Sequence, residues 1–301
     1  MAANVYQEDM EYISGAESID WKLLAGKTIF ITGGTGLIGS TIIDGLLYAN
    51  NKYKLNVRII ALVRNLERAK GLFHSANAGT SLSFIVGSVE SLPEVQEKVD
   101  YIIHGASPTA SLYFVQHPVE TIQTAVKGTK NILELAKKNQ VESVLYLSSM
   151  EVYGAPLTDE LIPETQGCTL DSMTVRSCYP IAKRLCENLC ASYASEYGVP
   201  GKAIRLAQTF GPGVSMNDVR VFAEFARDAI HGSDIELQTA GTSKRMYLYT
   251  ADAVTAILTV LLSGKTGEAY NAANSETYCS IVEMAQLVVH EITHDSIKVH
   301  V

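Results

Sequence analysis

From residue 27 onward the chain alternates between two hydrophobic rhythms. Short apolar, β-branched runs recur as "TIFIT" at 28–32, "VRIIALV" at 57–63, "LSFIVG" at 82–87, "VDYIIHG" at 99–105 and "SVLYLSS" at 143–149. Runs of this length predict strands buried on both faces. Segments of helical periodicity separate them at 37–49, 65–73, 91–98 and 118–139. The alternation predicts βαβ units and therefore an α/β fold, a doubly wound parallel sheet of the Rossmann type. Such a sheet binds ligands beyond the carboxyl ends of its strands.

After about 205 the rhythm loosens. The loop "TFGPGVSMND" precedes an amphipathic helix at 219–232, "DIELQTAGTSKRMYLYT" carries strand-like runs, and "SIVEMAQLVVHEI" is a last helix. The expected division is an extension or short helix at 1–26, a dinucleotide-binding domain at 27–205 plus about 242–260, and a smaller C-terminal substrate-binding lobe at 206–241 plus 261–301.

"ITGGTGLIGS" at 31–40 directly follows the first apolar run. It fits T-G-x-x-G-x-x-G through Thr32, Gly33, Gly36 and Gly39, and G-x-G-x-x-G through Gly34, Gly36 and Gly39. Residues without a Cβ let the backbone turn tightly, and they let the first N–H groups of the next helix, those of Leu37, Ile38 and Gly39, approach a pyrophosphate. In the first βα unit of a doubly wound sheet this predicts a dinucleotide cofactor. The second strand ends in "ALVRN", with Arg64 where an acid would accept from a ribose 2′-hydroxyl. The expected cofactor is NAD or NADP, and Arg64 tilts the choice to NADP.

Composition narrows the partners. The 301 residues are 47% hydrophobic and 19% charged, with a formal net charge of −8, which argues against a nucleic-acid surface. The five cysteines, at 168, 178, 186, 190 and 279, include no CxxC pair, so reduced packing cysteines are expected rather than disulfides or a metal site. No charged start with an apolar core marks a signal peptide, and "AVTAILTVLL" at 253–262 is too short to cross a bilayer. A reducing cytoplasm without membrane partners is the default expectation.

Two stretches carry chemistry. "LYLSSMEVYG" ends the fifth strand at the ligand edge, and "SCYPIAKRLCENLCASYASEYG" opens a helix with Tyr179 and Lys183 four apart on one face. A nearby ammonium stabilises a phenolate, so Tyr179 is expected to act as a base near neutral pH, with Ser149 holding the substrate hydroxyl. His104 reads as a satisfied loop histidine, and Tyr153 as packing behind the strand.

With these residues in place, the chain resembles a known family. "TGGTGLIG", "IIHGAS", "SSMEVYG", "YPIAK", "RLAQTFGPG" and "KRMYLYTADAV" run in the order typical of extended short-chain dehydrogenases/reductases, the nucleotide-sugar epimerase/dehydratase group. The likeness covers about residues 27–290. It is strongest to the UDP-glucuronate decarboxylases, through "GASPTASLYFVQHPVETIQTAVKGTKNILELAKK", "VRSCYPIAKR" and "NDVRVFAEFARDAIHG".

The resemblance implies a bound nicotinamide cofactor and a nucleoside-diphosphate sugar as the binding partner. Tyr179 would deprotonate the sugar C4 hydroxyl while Lys183 lowers its pKa and binds the nicotinamide ribose. Glu151 matches a glutamate shared with the 4,6-dehydratases. Ala106 would lie beside the cofactor. Pro108, Gln208, Arg220 and Arg245 would meet the sugar nucleotide, and Arg176 would meet a substrate carboxylate. The implied reaction is C4 oxidation of UDP-glucuronate, loss of its C5 carboxylate as CO2, and reduction to UDP-xylose.

Departures keep alternatives open. Met150 stands where decarboxylases tend to have Ser and dehydratases Asp, Gln208 and Glu224 replace substrate-contacting Asn residues, Arg64 is unusual beside NAD, and Ser88 replaces a common acid near the adenine. A 4-epimerase, a 4,6-dehydratase and an NADPH-dependent reductase remain, as does a dinucleotide-binding sensor without turnover. The family also tends to form homodimers through two long helices, here 118–138 and 179–196. Relatives usually continue past "SIKVHV", which leaves open that the substrate lobe is truncated and that sugar contacts lie beyond it.

Overall fold

All five apolar runs become strands of one parallel sheet in the computed structural model, which describes residues 2–73, 81–108, 111–156, 158–167 and 169–301. They are β1 (Thr28–Thr32), β2 (Arg58–Val63), β3 (Leu82–Val86), β4 (Tyr101–His104) and β5 (Ser143–Ser149). Two further strands, β6 (Gly201–Leu206) and β11 (Ala269–Ala272), extend the sheet to the order β11-β6-β5-β4-β1-β2-β3. Every neighbouring pair is parallel. The order reverses between β1 and β4, which places the crevice of the doubly wound fold outside their carboxyl ends.

Helices cover both faces. α5 (Pro118–Asn139) and α6 (Cys178–Tyr197) pack on one, where Ile132, Leu133, Ala182 and Cys186 meet Phe30, Ile102 and Val144 of the strands. The other face carries α1 (Ala2–Gly15), α2 (Leu37–Tyr53) and α8 (Thr250–Ser263). Ile29, Phe30 and Ile31 are fully buried. Each such side chain contributes about 2 kcal/mol by leaving water. α3 (Leu66–Leu72) follows β2 and is capped by the Asn65 side chain on the Arg68 N–H at 2.9 Å.

The helix expected over 91–98 does not form. Pro93 interrupts that segment, which takes no regular secondary structure while Val95 enters the core. A helix absent from the sequence reading, α4 (Ser111–Gln116), precedes α5.

The described residues up to Leu206 and Thr250–Ala272 form one compact unit, and Ala207–Tyr249 with Ala273–Val301 form a second. The return segment therefore ends at Ala272 rather than near 260, because β11 completes the sheet beside β6. The residues before 26 pack as α1 on α2 and α8 of the same unit. The second unit contains β7 (Gln208–Phe210), α7 (Val221–His231), β8 (Ile235–Glu236), β9 (Lys244–Arg245), β10 (Tyr247–Tyr249), β12 (Cys279–Ser280), α9 (Ile281–Thr293) and β13 (Val299–His300). Phe225, Ile235, Ala285, Val289 and Ile297 form its core. Among the described residues no helix is long and apolar enough to cross a membrane.

Candidate active site

The loop between β1 and α2 is shaped for close backbone approach. Gly33 has φ +77°, and a Cβ there would lie 2.7 Å from the Gly105 carbonyl. A Cβ on Gly39 would lie 2.2 Å from the Gly33 oxygen. Gly36 is the N-cap of α2, and no side chain caps the first turn. The N–H groups of Leu37, Ile38 and Gly39 thus open the helix with its positive end uncovered, an arrangement that fits an anionic pyrophosphate.

A buried chain of hydrogen bonds ties this loop to its neighbours. The Ala106 N–H donates to Thr32 Oγ1 at 3.1 Å, Thr32 Oγ1 lies 2.7 Å from His104 Nδ1, and His104 Nε2 lies 3.2 Å from Thr129 Oγ1 on α5. Burial, followed by the Lys183 charge, lowers the His104 pKa to about 3. The ring is therefore neutral, a satisfied structural histidine as its position in "IIHGAS" predicts.

At the end of β5 the chemistry-bearing residues gather. Ser149 accepts the Glu151 N–H at 3.2 Å, starting a 3-10 turn at Met150–Tyr153. Its hydroxyl also acts on the Tyr179 phenol, favouring the ionised form. Arg176, in the 3-10 turn Val175–Ser177 that leads into α6, places Nη2 2.9 and 3.1 Å from the two Glu151 carboxylate oxygens. Tyr179 is buried, and its ring stacks on Phe114 of α4 with centroids 4.3 Å apart and planes 11° apart. The Arg176 guanidinium in turn lies 4.9 Å from the Phe114 ring centroid. The sequence reading does not single out Phe114, whose only signal is the aromatic run "LYF" after "GASPTAS".

Lys183 shares the Tyr179 face of the helix, as the four-residue spacing predicts. Its Nζ donates to the Leu147 carbonyl at 2.7 Å and lies 5.6 Å from the Tyr179 ring centroid. Burial lowers its pKa to about 8. The expectation that Lys183 depresses the Tyr179 pKa does not hold in this state. Burial first, and the Glu151 charge second, push the phenol well above its ordinary value, outweighing the Ser149 hydrogen bond and Arg176. Tyr179 is a protonated phenol here.

A tight ion-pair network supports the turn from behind. Arg205 of β6 donates to both Glu187 oxygens, from Nη2 to Oε2 at 2.7 Å and from Nε to Oε1 at 3.0 Å, and to the Tyr153 hydroxyl at 2.9 Å. Tyr153 donates in turn to Asn271 Oδ1 at 2.7 Å, so it packs and braces as the sequence reading expects.

The model of the NAD dependent epimerase/dehydratase family matches residues 29–273. The chain belongs to that family. This epimerase/dehydratase family member is 32% identical over 271 residues to UDP-glucuronic acid decarboxylase 3 of Arabidopsis thaliana, covering 90% of this chain and 76% of the relative. It is 31% identical over 278 residues to the UDP-N-acetyl-alpha-D-glucosaminuronate decarboxylase of Bacillus cytotoxicus, covering 91% of this chain and 82% of that one. The dTDP-glucose 4,6-dehydratase DesIV of Streptomyces venezuelae, solved with NAD bound, shares its fold with a TM-score of 0.76 at 22% identity, over 91% of this chain and 84% of that one.

The remaining sequence-predicted residues of this family member lie on other elements of the two units. Pro108 is half-buried after β4 and accepts the Ser107 hydroxyl at its carbonyl. Arg64 is exposed at the end of β2. Gln208, Arg220 and Arg245 belong to the second unit. There Gln208 pairs in register with Tyr247, and Arg245 is exposed on β9 opposite Cys279. Arg220 is held by Asp218, with bonds of 2.6 to 3.0 Å, and by the Thr209 carbonyl. Its charge is neutralised locally by Asp218. Cys178, Cys186, Cys190 and Cys279 are free thiols. Cys168 lies outside the described residues.

Proposed function

We propose that this protein decarboxylates a nucleoside-diphosphate uronate, with UDP-glucuronate to UDP-xylose as the first candidate. The observation that carries this reading is the guanidinium of Arg176 beside Glu151 and the Ser149/Tyr179/Lys183 group, in a chain whose relatives include decarboxylases of two different uronates. An arginine fork matches a carboxylate bidentately. A neutral hexose gives that charge nothing to bind.

The glycine loop and the uncapped start of α2 would hold a nicotinamide dinucleotide by its pyrophosphate, with Ala106 at the neighbouring loop. When bound, that cofactor supplies a reversible two-electron acceptor for sugar C4. Tyr179 takes the C4 hydroxyl proton, and Ser149 holds the same oxygen. Oxidation leaves a β-keto acid, whose C5–carboxylate bond breaks with its electron pair moving into the C4 carbonyl as an enolate. Ser149 and the newly protonated Tyr179 donate to that oxygen. Net decarboxylation consumes one proton, and Glu151 relays it to C5. Tyr179 returns its own proton when C4 is reduced again.

The test is mass spectrometry of products from UDP-glucuronate with NAD or with NADP. A product lighter by one CO2 is expected. Binding of the dinucleotide without any product from uronates or hexoses would instead support a sensor.

Among the cofactors, the exposed Arg64 at the end of β2 favours NADP. Replacing Arg64 with Ala is expected to weaken NADP about tenfold while leaving NAD affinity unchanged, because one charge-assisted bond to the 2′-phosphate is lost. Equal weakening of both, in direct binding titrations, would make Arg64 an adenine-stacking residue. The protein is also proposed to be a homodimer, since Val119 and Ile122 of α5 and Leu185 of α6 are exposed apolar residues on two helices packed together.

A further inference from the structure

Four side chains form one continuous stack: Glu151 on Arg176, Arg176 on Phe114, and Phe114 on Tyr179. In this arrangement the carboxylate meant for proton transfer neutralises the cation meant for the substrate, and an aromatic ring covers the catalytic phenol. We propose that the substrate's own carboxylate opens the site, by displacing Glu151 from Arg176 and thereby loosening Phe114 from Tyr179. This rests on the uronate reading above.

The stack is built to be exchanged. The Arg176 and Glu151 side chains are 36% and 33% exposed, so solvent and substrate reach both. An ion pair this exposed is weak, and a second carboxylate with full access to the fork can outbid it. Two carboxylates crowding one guanidinium repel each other, so the arriving one drives Glu151 off.

Phe114 is fully buried, but it sits on a short helix: of the six residues of α4 it alone is buried, while Leu112, Tyr113 and Val115 are exposed. Among the described residues it meets the Tyr179 ring and the Arg176 guanidinium, and its carbonyl accepts a 3.4 Å bond from Cys178 Sγ. The two leading causes that hold Tyr179 protonated are its burial and the Glu151 charge. Both weaken when the stack opens, so the residue becomes a usable base only once a carboxylate has arrived. Neutral nucleotide sugars would bind without triggering oxidation.

Calorimetric titration of wild type, Glu151→Gln and Arg176→Gln with UDP-glucuronate and with UDP-glucose tests this. Glu151→Gln removes the internal competitor and is expected to tighten UDP-glucuronate about fivefold while leaving UDP-glucose unchanged. Arg176→Gln is expected to weaken UDP-glucuronate about tenfold or more, again without effect on UDP-glucose. In a third variant, Phe114→Leu, the acid limb of the turnover profile is expected to move to lower pH, because Tyr179 loses part of its cover. Unchanged or weaker UDP-glucuronate binding in Glu151→Gln overturns the exchange, as does an unmoved acid limb in Phe114→Leu. If wild type decarboxylates UDP-glucuronate while either result holds, only the exchange falls. If wild type neither converts UDP-glucuronate nor prefers it to UDP-glucose, the uronate reading falls with it.

Discussion

Replacing Tyr179 with phenylalanine is expected to lower turnover by about a thousandfold, within the range for loss of a positioned acid–base group. The substitution removes one oxygen and leaves the ring able to stack on Phe114. Folding and dinucleotide affinity should therefore be unchanged, which separates a chemical role from a structural one. Single-turnover kinetics beside a dinucleotide titration makes the measurement. Retained turnover in Tyr179→Phe would remove the phenol from the mechanism. Because the phenol pKa is raised, wild-type turnover is expected to rise with pH along its acid limb.

Lys183→Met is expected to abolish turnover and yet to stabilise the protein. Burial takes the Lys183 pKa from 10.5 to about 8, so between those pH values the unfolded chain holds a proton that the folded chain has shed. Wild-type stability accordingly rises through that window and is lowest below it. At pH 7 the buried ammonium costs on the order of 3 kcal/mol. Loss of its bond to the Leu147 carbonyl returns about 1 kcal/mol of that. A net gain of about 2 kcal/mol corresponds to a melting temperature higher by roughly 5 °C. The gain should shrink toward pH 10.5, where the wild-type lysine is neutral in both states. Thermal melts of both proteins at pH 7 and pH 10 decide it. A variant that melts lower at pH 7 would show that Lys183 is held in place by more than the Leu147 carbonyl.

The sheet was legible because its inner strands are buried on both faces and so appear as apolar runs, "TIFIT" and "SVLYLSS" being the plainest, whereas the edge strand β3 is only half-buried. Tyr179 and Lys183 were legible because helical spacing fixes which residues share a face. The failures have equally physical causes. At 91–98 the periodicity of a few apolar residues was outweighed by Pro93, which has no N–H to give a helix. α4 is too short to show any period. The pairing of Arg176 with Glu151 joins residues 25 positions apart in sequence, through two turns whose geometry no local pattern encodes. The protonated state of Tyr179 depends on how deeply a ring from a third segment covers it, and spacing carries no information on burial. Arg220 differs: its partner Asp218 stands two residues earlier, so its neutralisation was readable from "NDVR".

The sheet also has a temporal consequence. β6 is the sixth strand to be made, but its outer neighbour β11 follows only after Ala207–Tyr249 and the helix α8 have been synthesised. A chain emerging from the ribosome therefore displays β6 as an unpaired edge for the whole of that interval, and open edges recruit strands from other chains. Lys202, a charged residue within β6, discourages such pairing while the edge waits. Its partners, the Leu261 and Gly264 carbonyls at the end of α8, are made only afterwards, whereas Arg205 bonds to Glu187 and Tyr153, which precede it in the chain. The charge that guards the nascent edge becomes a fastener of the finished unit.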